Sequence, residues 1–277
     1  VAGRPSEGTV SLVGASARVD AGANRPGYSW DHAGVALGMT RALSPAWTIG
    51  LNASATTGNA KVGGIETDAT AFNADAVAGW AGGPFYAKLG AGAGLVSFSD
   101  VERGTVGPLL NRSQTSAITG SVAAEAGMTF GFGGVSLSPR ARLAWIGANL
   151  DGFEERGVVA PVAVESRRVG TLSGAAELRA GVDLLRAGTR ALSAFATIGY
   201  ETYFAQSGDT LDLRLVNNTA LPFAVALSDP RSPGLVVGAG LQGSLTEALA
   251  LGVEYRGAFG EGGSRRHQAM GNVSYRF

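Results

Sequence analysis

Residues 269–277, at the carboxyl end of the chain, read Ala-Met-Gly-Asn-Val-Ser-Tyr-Arg-Phe. Side chains of a β-strand alternate between two faces, so this stretch places Ala, Gly, Val, Tyr and Phe on one face and Met, Asn, Ser and Arg on the other. Such a strand suits a sheet that has lipid on one side and water on the other. A strand at the surface of a soluble β protein shows the same pattern, and this segment alone leaves both interpretations open.

Composition narrows the fold class. The chain has 277 residues, of which 45% are apolar and 16% charged, and it contains 43 glycines and no cysteine. No apolar run approaches the roughly 18 to 20 residues that a transmembrane helix needs, which excludes a helical membrane protein. With 22 basic and 22 acidic residues the net charge is zero, which argues against nucleic acid as a partner. The absence of cysteine fits assembly in an oxidising periplasm.

Alternating segments recur along the chain in pairs. In a clear example, residues 31–43 and 47–55 flank the short turn Ser44-Pro45, as in a β-hairpin. Longer polar connections lie between successive pairs, at residues 20–28, 100–114, 152–165 and 206–233. The pattern predicts about twelve strands of roughly 10 to 14 residues, long enough to cross a bilayer when tilted.

The two faces of these strands predict which side meets lipid. Backbone groups in a bilayer must all be paired, and a closed sheet achieves this without a free edge. A charge in a strand centre costs about 2 to 4 kcal/mol when it faces lipid, so the charged residues are expected inside. The expected fold is therefore all-β, a transmembrane antiparallel up-and-down barrel. The predicted lumen-lining residues are Asp75, Lys88, Glu125, Arg140, Arg142, Glu177, Arg179, Asp183, Glu201, Glu254 and Arg256.

Large aromatic residues on the apolar face cluster near strand ends. Amphipathic rings at this position are typical of the aromatic girdles of membrane barrels, where they lie at headgroup depth. A soluble barrel would instead place its large apolar residues inside and its charges outside. The predicted girdle residues are Trp47, Trp80, Trp145, Tyr200 and Tyr255.

Several motifs, in this order and spacing, resemble a known family. They are GVALGMTRALSPAWTIGL (34–51), EAGMTF (125–130), LSPRARL (137–143), DGFEE (151–155), GYE (199–201) and YRF (275–277). Together they resemble the translocator domain of a monomeric, type Va autotransporter. Segments 101–120 and 167–174 are most similar to translocators that follow lipase/esterase (GDSL-type) or subtilisin-like passengers, and the sequence does not choose between these two.

The resemblance implies a monomeric twelve-stranded barrel in the Gram-negative outer membrane that carries an upstream passenger to the cell surface. Its expected partners are outer-membrane lipids, the barrel assembly machinery, and its own N-terminal passenger with a helix that threads the pore. Tyr275 and Phe277 correspond to the terminal aromatic signal that the assembly machinery reads. We expect residues 1–8 to be a linker left from the pore segment and residues 9–277 to be the barrel. Residues 1–7 are too short to span a bilayer as a helix, and no signal peptide begins at Val1, so a processed or excised domain is expected.

Enzyme and cofactor sites have little support in the sequence. Residues 238–243 match the glycine spacing of a dinucleotide fingerprint, but they lie inside a predicted strand that no helix follows. Only His32 and His267 are present and no G-x-S-x-G motif occurs, so no cofactor, metal or acyl-transfer site is predicted. The main alternative function is a diffusion porin. A Ser-His outer-membrane enzyme that uses His267 and a soluble β protein are minor alternatives.

Overall fold

The computed structural model describes residues 6–21, 27–62, 64–104, 109–157, 159–188, 190–208, 210–216, 218–226 and 233–277. Twelve long strands of these residues form a barrel. Their bounds are β1 Ser6–Val19, β2 Tyr28–Ala42, β3 Trp47–Val62, β4 Ile65–Gly82, β5 Phe85–Gly104, β6 Leu110–Met128, β7 Val135–Leu150, β8 Arg167–Ala187, β9 Arg190–Ser207, β10 Gly234–Ser244, β11 Leu249–Gly260 and β12 Arg265–Arg276.

The barrel is closed. Each strand pairs antiparallel with the next one in sequence, and β12 returns to pair antiparallel with β1. The seam continues to the chain terminus, because the Phe277 amide donates to the Ser6 carbonyl at 2.9 Å and the Ser6 amide donates to the Phe277 carbonyl at 3.2 Å. The predicted fold class, an antiparallel up-and-down barrel of about twelve strands, is confirmed.

The two ends of the barrel differ. Tight turns follow β2, β4 and β8 at the end where the chain begins and terminates, and Gly83 and Gly188 both adopt a φ of 59° there, which favours glycine. At the same end a short strand, Phe130–Phe132, pairs with the start of β7. We call this the turn end. The opposite, loop end carries a second sheet of four short strands and a 3-10 helix, with bounds Phe153–Glu154, Val162–Val164, Thr210–Leu215, Asn218–Ala226 and Glu261–Gly263.

Strand boundaries depart from the sequence prediction. β1 begins at Ser6 rather than Thr9, so the end of the expected linker belongs to the barrel, while residues 1–5 lie outside the described residues. Much of the predicted loop 100–114 is strand, because β5 runs to Gly104 and β6 starts at Leu110. The paired strands continue beyond the apolar belt. Both of their faces are polar there, so the alternation of apolar and polar residues that predicts a strand is absent. Residues 22–26 and 105–108 of the predicted loops also lie outside the described residues.

The apolar side chains face outward. Leu12, Leu51 and Leu95 are 65%, 64% and 61% exposed on the outer surface. Glu177, next to the exposed Leu178 on β8, is by contrast buried inside the barrel. An apolar belt of this extent around a closed sheet is the arrangement that hydrocarbon stabilises. Among the described residues, no helix combines the length and the hydropathy required to cross a bilayer.

Candidate functional site in the barrel interior

Glu177 is the centre of the interior network. Its side chain, on β8, is 5% exposed and accepts a hydrogen bond at 2.8 Å from Nε of Arg140, its cross-strand partner on β7. It also accepts a hydrogen bond from Arg256 on β11, three strands further around the barrel. This second bond therefore spans the interior. One carboxylate thus holds two guanidinium groups from distant parts of the wall.

A second bond crosses the interior nearer the loop end. Arg266 on β12 donates to Glu201 and, at 3.3 Å, to the Tyr203 hydroxyl, both on β9. Arg266 was not among the predicted lumen residues, because the polar stretch 260–266 indicates a connection rather than a strand. The bond again joins strands three positions apart, so it depends on closure of the barrel.

Arg179 packs on an interior aromatic residue. Its guanidinium carbon lies 3.4 Å from the ring centroid of Phe195 on β9, and its Nη2 donates to Gln242 at 3.4 Å. A side chain at Gly240 would overlap the Phe195 ring, so the glycine makes room for it. Phe195 was also not predicted to face the lumen. Its position indicates that it does, since residues 193, 195 and 197 lie on one face of the strand and both Ser193 and Thr197 are polar.

All of the predicted lumen residues lie on the inner face, but they are not equally close together. A cavity of about 230 Å³ is lined by Glu125, Arg140, Arg142, Glu177, Glu254 and Arg256. Lys88 lies 3.7 Å from Glu125 at its edge. Asp183 is apart from this group near the turn end, where Arg186 and Ser193 contact it at 2.8 and 3.0 Å. Asp75 is also apart, on β4, opposite Gly92, where a Cβ would overlap its carboxylate.

The interior has two unlike walls. The charged wall comprises Glu125, Arg140, Arg142, Glu177, Arg179, Glu201, Glu254, Arg256 and Arg266, on β6 to β9, β11 and β12. The neutral wall comprises the inner faces of β2, β3 and β4, which carry small residues such as Gly38, Asn52, Ser54 and Asn73. Asp75 is the one carboxylate on those three inner faces, all of whose residues the structure describes. Long side chains, several of them paired, thus fill one side of the lumen, and short uncharged ones line the middle of the other, with Trp30 and His32 stacked towards its loop end.

The predicted girdle residues fall at two levels on the outside. Trp47 and Trp80 are direct cross-strand partners at the turn end. Trp145 and Tyr200 lie towards the loop end of β7 and β9, and Tyr255 lies just past the middle of β11 in the same direction. Aromatic residues at both levels, with aliphatic ones between them, give the outer face the profile of a membrane barrel. At the turn end, Tyr275 and Phe277 are exposed and stack with their ring centroids 6.5 Å apart.

A buried carboxylate organises the loop end. Glu155 accepts two hydrogen bonds from Arg103, each at 2.7 Å, and one each at 3.0 Å from the Asn111 side chain and the Val162 amide. Burial by itself would raise the pKa of Glu155, but these hydrogen bonds outweigh it and hold the pKa below its ordinary value. Glu155 therefore stays ionised and pins the connection between β7 and β8 to the β5–β6 hairpin.

The structure gives no support to the minor chemical alternatives. His267 lies on the outer face with Nδ1 2.7 Å from the Tyr255 hydroxyl, and among the described residues it makes no hydrogen bond to Ser16, its cross-strand partner on β1. Residues 238–243 form the middle of β10, and β11 follows. His32 is stacked on Trp30 at 4.8 Å. Within the described part of the chain, no three His, Asp or Glu side chains are grouped so that they could hold a metal ion.

A closed twelve-stranded sheet with an apolar exterior and a charged, cavity-containing interior defines the class of outer-membrane-type β-barrels. Within this class, the family model for the autotransporter beta-domain matches residues 9–256. The chain belongs to the autotransporter beta-domain family, and it is a translocator barrel. None of the curated proteins has a sequence that matches this chain significantly.

Solved structures of translocators share the fold. The translocator domain of the autotransporter NalP from Neisseria meningitidis is 15% identical with a TM-score of 0.77, over 99% of this chain and 89% of that one. The β-domain of the Bordetella autotransporter BrkA is 16% identical with a TM-score of 0.75, over 98% and 99%. The transport unit of AIDA-I from Escherichia coli is 10% identical with a TM-score of 0.66, over 98% and 90%.

Proposed function

We propose that the barrel resides in the Gram-negative outer membrane and passes an N-terminal passenger through its lumen along the neutral wall. The charged wall is then the fixed side of the pore, and the neutral wall faces the moving chain. The role is physical and involves no catalysis. It gives a polar, hydrated corridor to a polypeptide whose backbone would otherwise have to enter lipid.

The observation that carries this proposal is the contrast between the two walls. Five of the nine charges of the charged wall are bound to one another, Glu177 to Arg140 and Arg256 and Glu201 to Arg266, among the residues that the structure describes. A paired network of long side chains is costly to disrupt, because removing one partner leaves the other charge unpaired in a confined space. Short residues on β2 to β4 leave space and offer hydroxyl and amide groups. An extended chain can exchange weak hydrogen bonds with these groups as it moves.

Crosslinking of a stalled passenger tests this route. A passenger with a stably folded domain is fused upstream of the barrel, and a cysteine in its linker is offered to single cysteines in the wall. The chain has no native cysteine, so each introduced thiol is unique. Asn52→Cys faces inward on the neutral wall, and its neighbour Leu51→Cys faces outward on the same strand.

The expected result is a disulfide between the passenger linker and residue 52 and none with residue 51. In intact cells that carry a fusion that does not stall, a protease added outside the cells should cleave the passenger. Crosslinking through residue 51, or a passenger that stays periplasmic although the barrel is folded, would contradict the proposal. Conductance in planar bilayers distinguishes a translocator from a diffusion porin. A translocator with its upstream segment restored conducts less than the barrel alone, whereas a porin conducts equally.

The remaining partners follow from the same proposal. The exposed pair Tyr275 and Phe277 is positioned for recognition by the barrel assembly machinery, since it lies at the end of the closing strand. We propose that the barrel works as a monomer surrounded by lipid. The passenger class, lipase/esterase or subtilisin-like, stays a prediction from the sequence resemblance.

A further inference from the structure

Two arginines lie opposite each other on the outer surface at the loop end. Arg18 on β1 and Arg265 on β12 are direct cross-strand partners. The adjacent Arg266 bonds across the interior to Glu201, so Arg265 points outward, and the Arg18 side chain is 76% exposed. Arg18 contacts Asp20 at 3.3 Å, whereas Arg265 has no ion-pair partner among the described residues. The corner therefore holds two cations and one anion.

This placement is unfavourable unless an anion binds there. Like charges directly opposite each other on neighbouring strands destabilise a sheet. Two arginines on directly opposite residues of neighbouring strands can instead both donate to the oxygen atoms of one phosphate group. The two arginines thus leave a net positive charge on the outer surface, and an anion of the size of a phosphate group would neutralise it.

An aromatic cluster continues this corner towards the apolar belt. Phe259 is the cross-strand partner of Arg265 on β11, and its ring meets the ring of His267 edge-on with centroids 5.7 Å apart. His267 in turn contacts the Tyr255 hydroxyl at 2.7 Å. Rings of this kind lie at headgroup depth in membrane barrels. From the loop end inward, the arginines with Phe259 beside them come first, the rings of His267 and Tyr255 come next, and aliphatic residues follow. This is the order of a phosphorylated headgroup and its acyl chains.

We infer that Arg18, Arg265 and the ring cluster bind the phosphate group of a lipid in the leaflet at the loop end. Free phosphate shares the headgroup chemistry, but it would leave the ring cluster without a partner, so the site favours the lipid. The inference rests on the outer-membrane location in the proposed function and not on the passenger. Neither arginine belongs to the charged wall.

Lipid retention measured by native mass spectrometry of the folded barrel tests the inference. The protein in detergent micelles is mixed with diphosphorylated lipid A, with the same lipid after removal of its phosphates, or with inorganic phosphate. The test variant is Arg18→Gln/Arg265→Gln. The matched control is Arg41→Gln, which removes an exposed arginine from the same outward face at the opposite, turn end.

We expect the double variant to weaken retention of diphosphorylated lipid A at least about tenfold, since each lost charge-assisted hydrogen bond is worth roughly that factor. The control and the wild type should retain it equally, and the dephosphorylated lipid should bind the wild type weakly. Equal loss in the control, or equal binding of the dephosphorylated lipid, would overturn the site. Displacement of the lipid by equimolar inorganic phosphate would overturn the preference for lipid.

Failure of this inference can be told from failure of the proposed function. The double variant should keep the heat-dependent electrophoretic shift of a folded barrel and should still deliver a passenger to the cell surface. If lipid retention is unaffected while transport continues, the phosphate site alone is wrong.

Discussion

Replacement of Glu177 by alanine should destabilise the barrel more than any other single change in the charged wall. The change removes the carboxylate to which both Arg140 and Arg256 donate, and their side chains are only 16% and 25% exposed. Breaking a buried ion pair by removing one partner costs about 3 to 5 kcal/mol, and water in the lumen hydrates the arginines in part, so we expect about 3 kcal/mol. Glu254→Ala is the control, because Glu254 lines the same cavity but makes no hydrogen bond among the described residues.

The assay is reversible urea unfolding of the barrel in lipid vesicles, followed by tryptophan fluorescence. Glu254→Ala should cost less than about 1 kcal/mol, in the range of exposed pairs. Adding Arg140→Met and Arg256→Met to Glu177→Ala should recover stability, because the unpaired charges are then removed. Equal free energies of unfolding for Glu177→Ala and Glu254→Ala would refute the reasoning that the three-residue network holds the wall together.

Three further predictions concern other parts of the molecule. Leu51→Arg, at the middle of the outward apolar belt, should destabilise the barrel in vesicles by about 2 to 4 kcal/mol, whereas Asn52→Arg should cost little because it faces the lumen; equal costs in urea titrations would contradict the assigned faces. Deleting Phe277 should slow assembly in cells. It should also lower the free energy of unfolding by about 1 to 3 kcal/mol, because two backbone hydrogen bonds at the seam are lost. Unchanged yield and stability would count against a role of Phe277 in assembly and in closing the seam. The folded pKa of Glu155 lies below its ordinary value of 4.5, so the stability it contributes is complete above that value and is lost as pH falls through the folded pKa. Loop-end cleavage by a protease that stays active from acid to neutral pH should therefore rise at acid pH in the wild type and in the control Glu154→Gln. In Glu155→Gln the cleavage should already be high near neutrality.

The faces of the strands were predictable from sequence because alternation is a local property. Leu178 and Glu177 are adjacent, and the period of a strand alone assigns them to opposite sides. The same rule placed the predicted charges on the inner face and the predicted aromatic residues on the outer face. Strand count was predictable for a related reason, since each hairpin repeats the same signal.

The partners of those charges were not predictable. The bonds from Arg256 to Glu177 and from Arg266 to Glu201 join strands three positions apart, and their existence depends on the curvature and stagger of the closed sheet. Arg266 was also hard to predict because the first four residues of β12, 265–268, are polar on both faces. Glu155 escaped notice for a similar reason, since it lies between two very short strands in a stretch without periodicity.

Spin labels on neighbouring residues test most directly whether lipid covers the outside and water fills the lumen. The chain has no cysteine, so single labels can be placed at Val253 and Glu254, and at Leu178 and Glu177, in barrels reconstituted in bilayers. The account predicts that labels at 253 and 178 collide mainly with dissolved oxygen and those at 254 and 177 with a water-soluble nickel complex. Nickel accessibility at 253 and 178, with protection at 254 and 177, would contradict it.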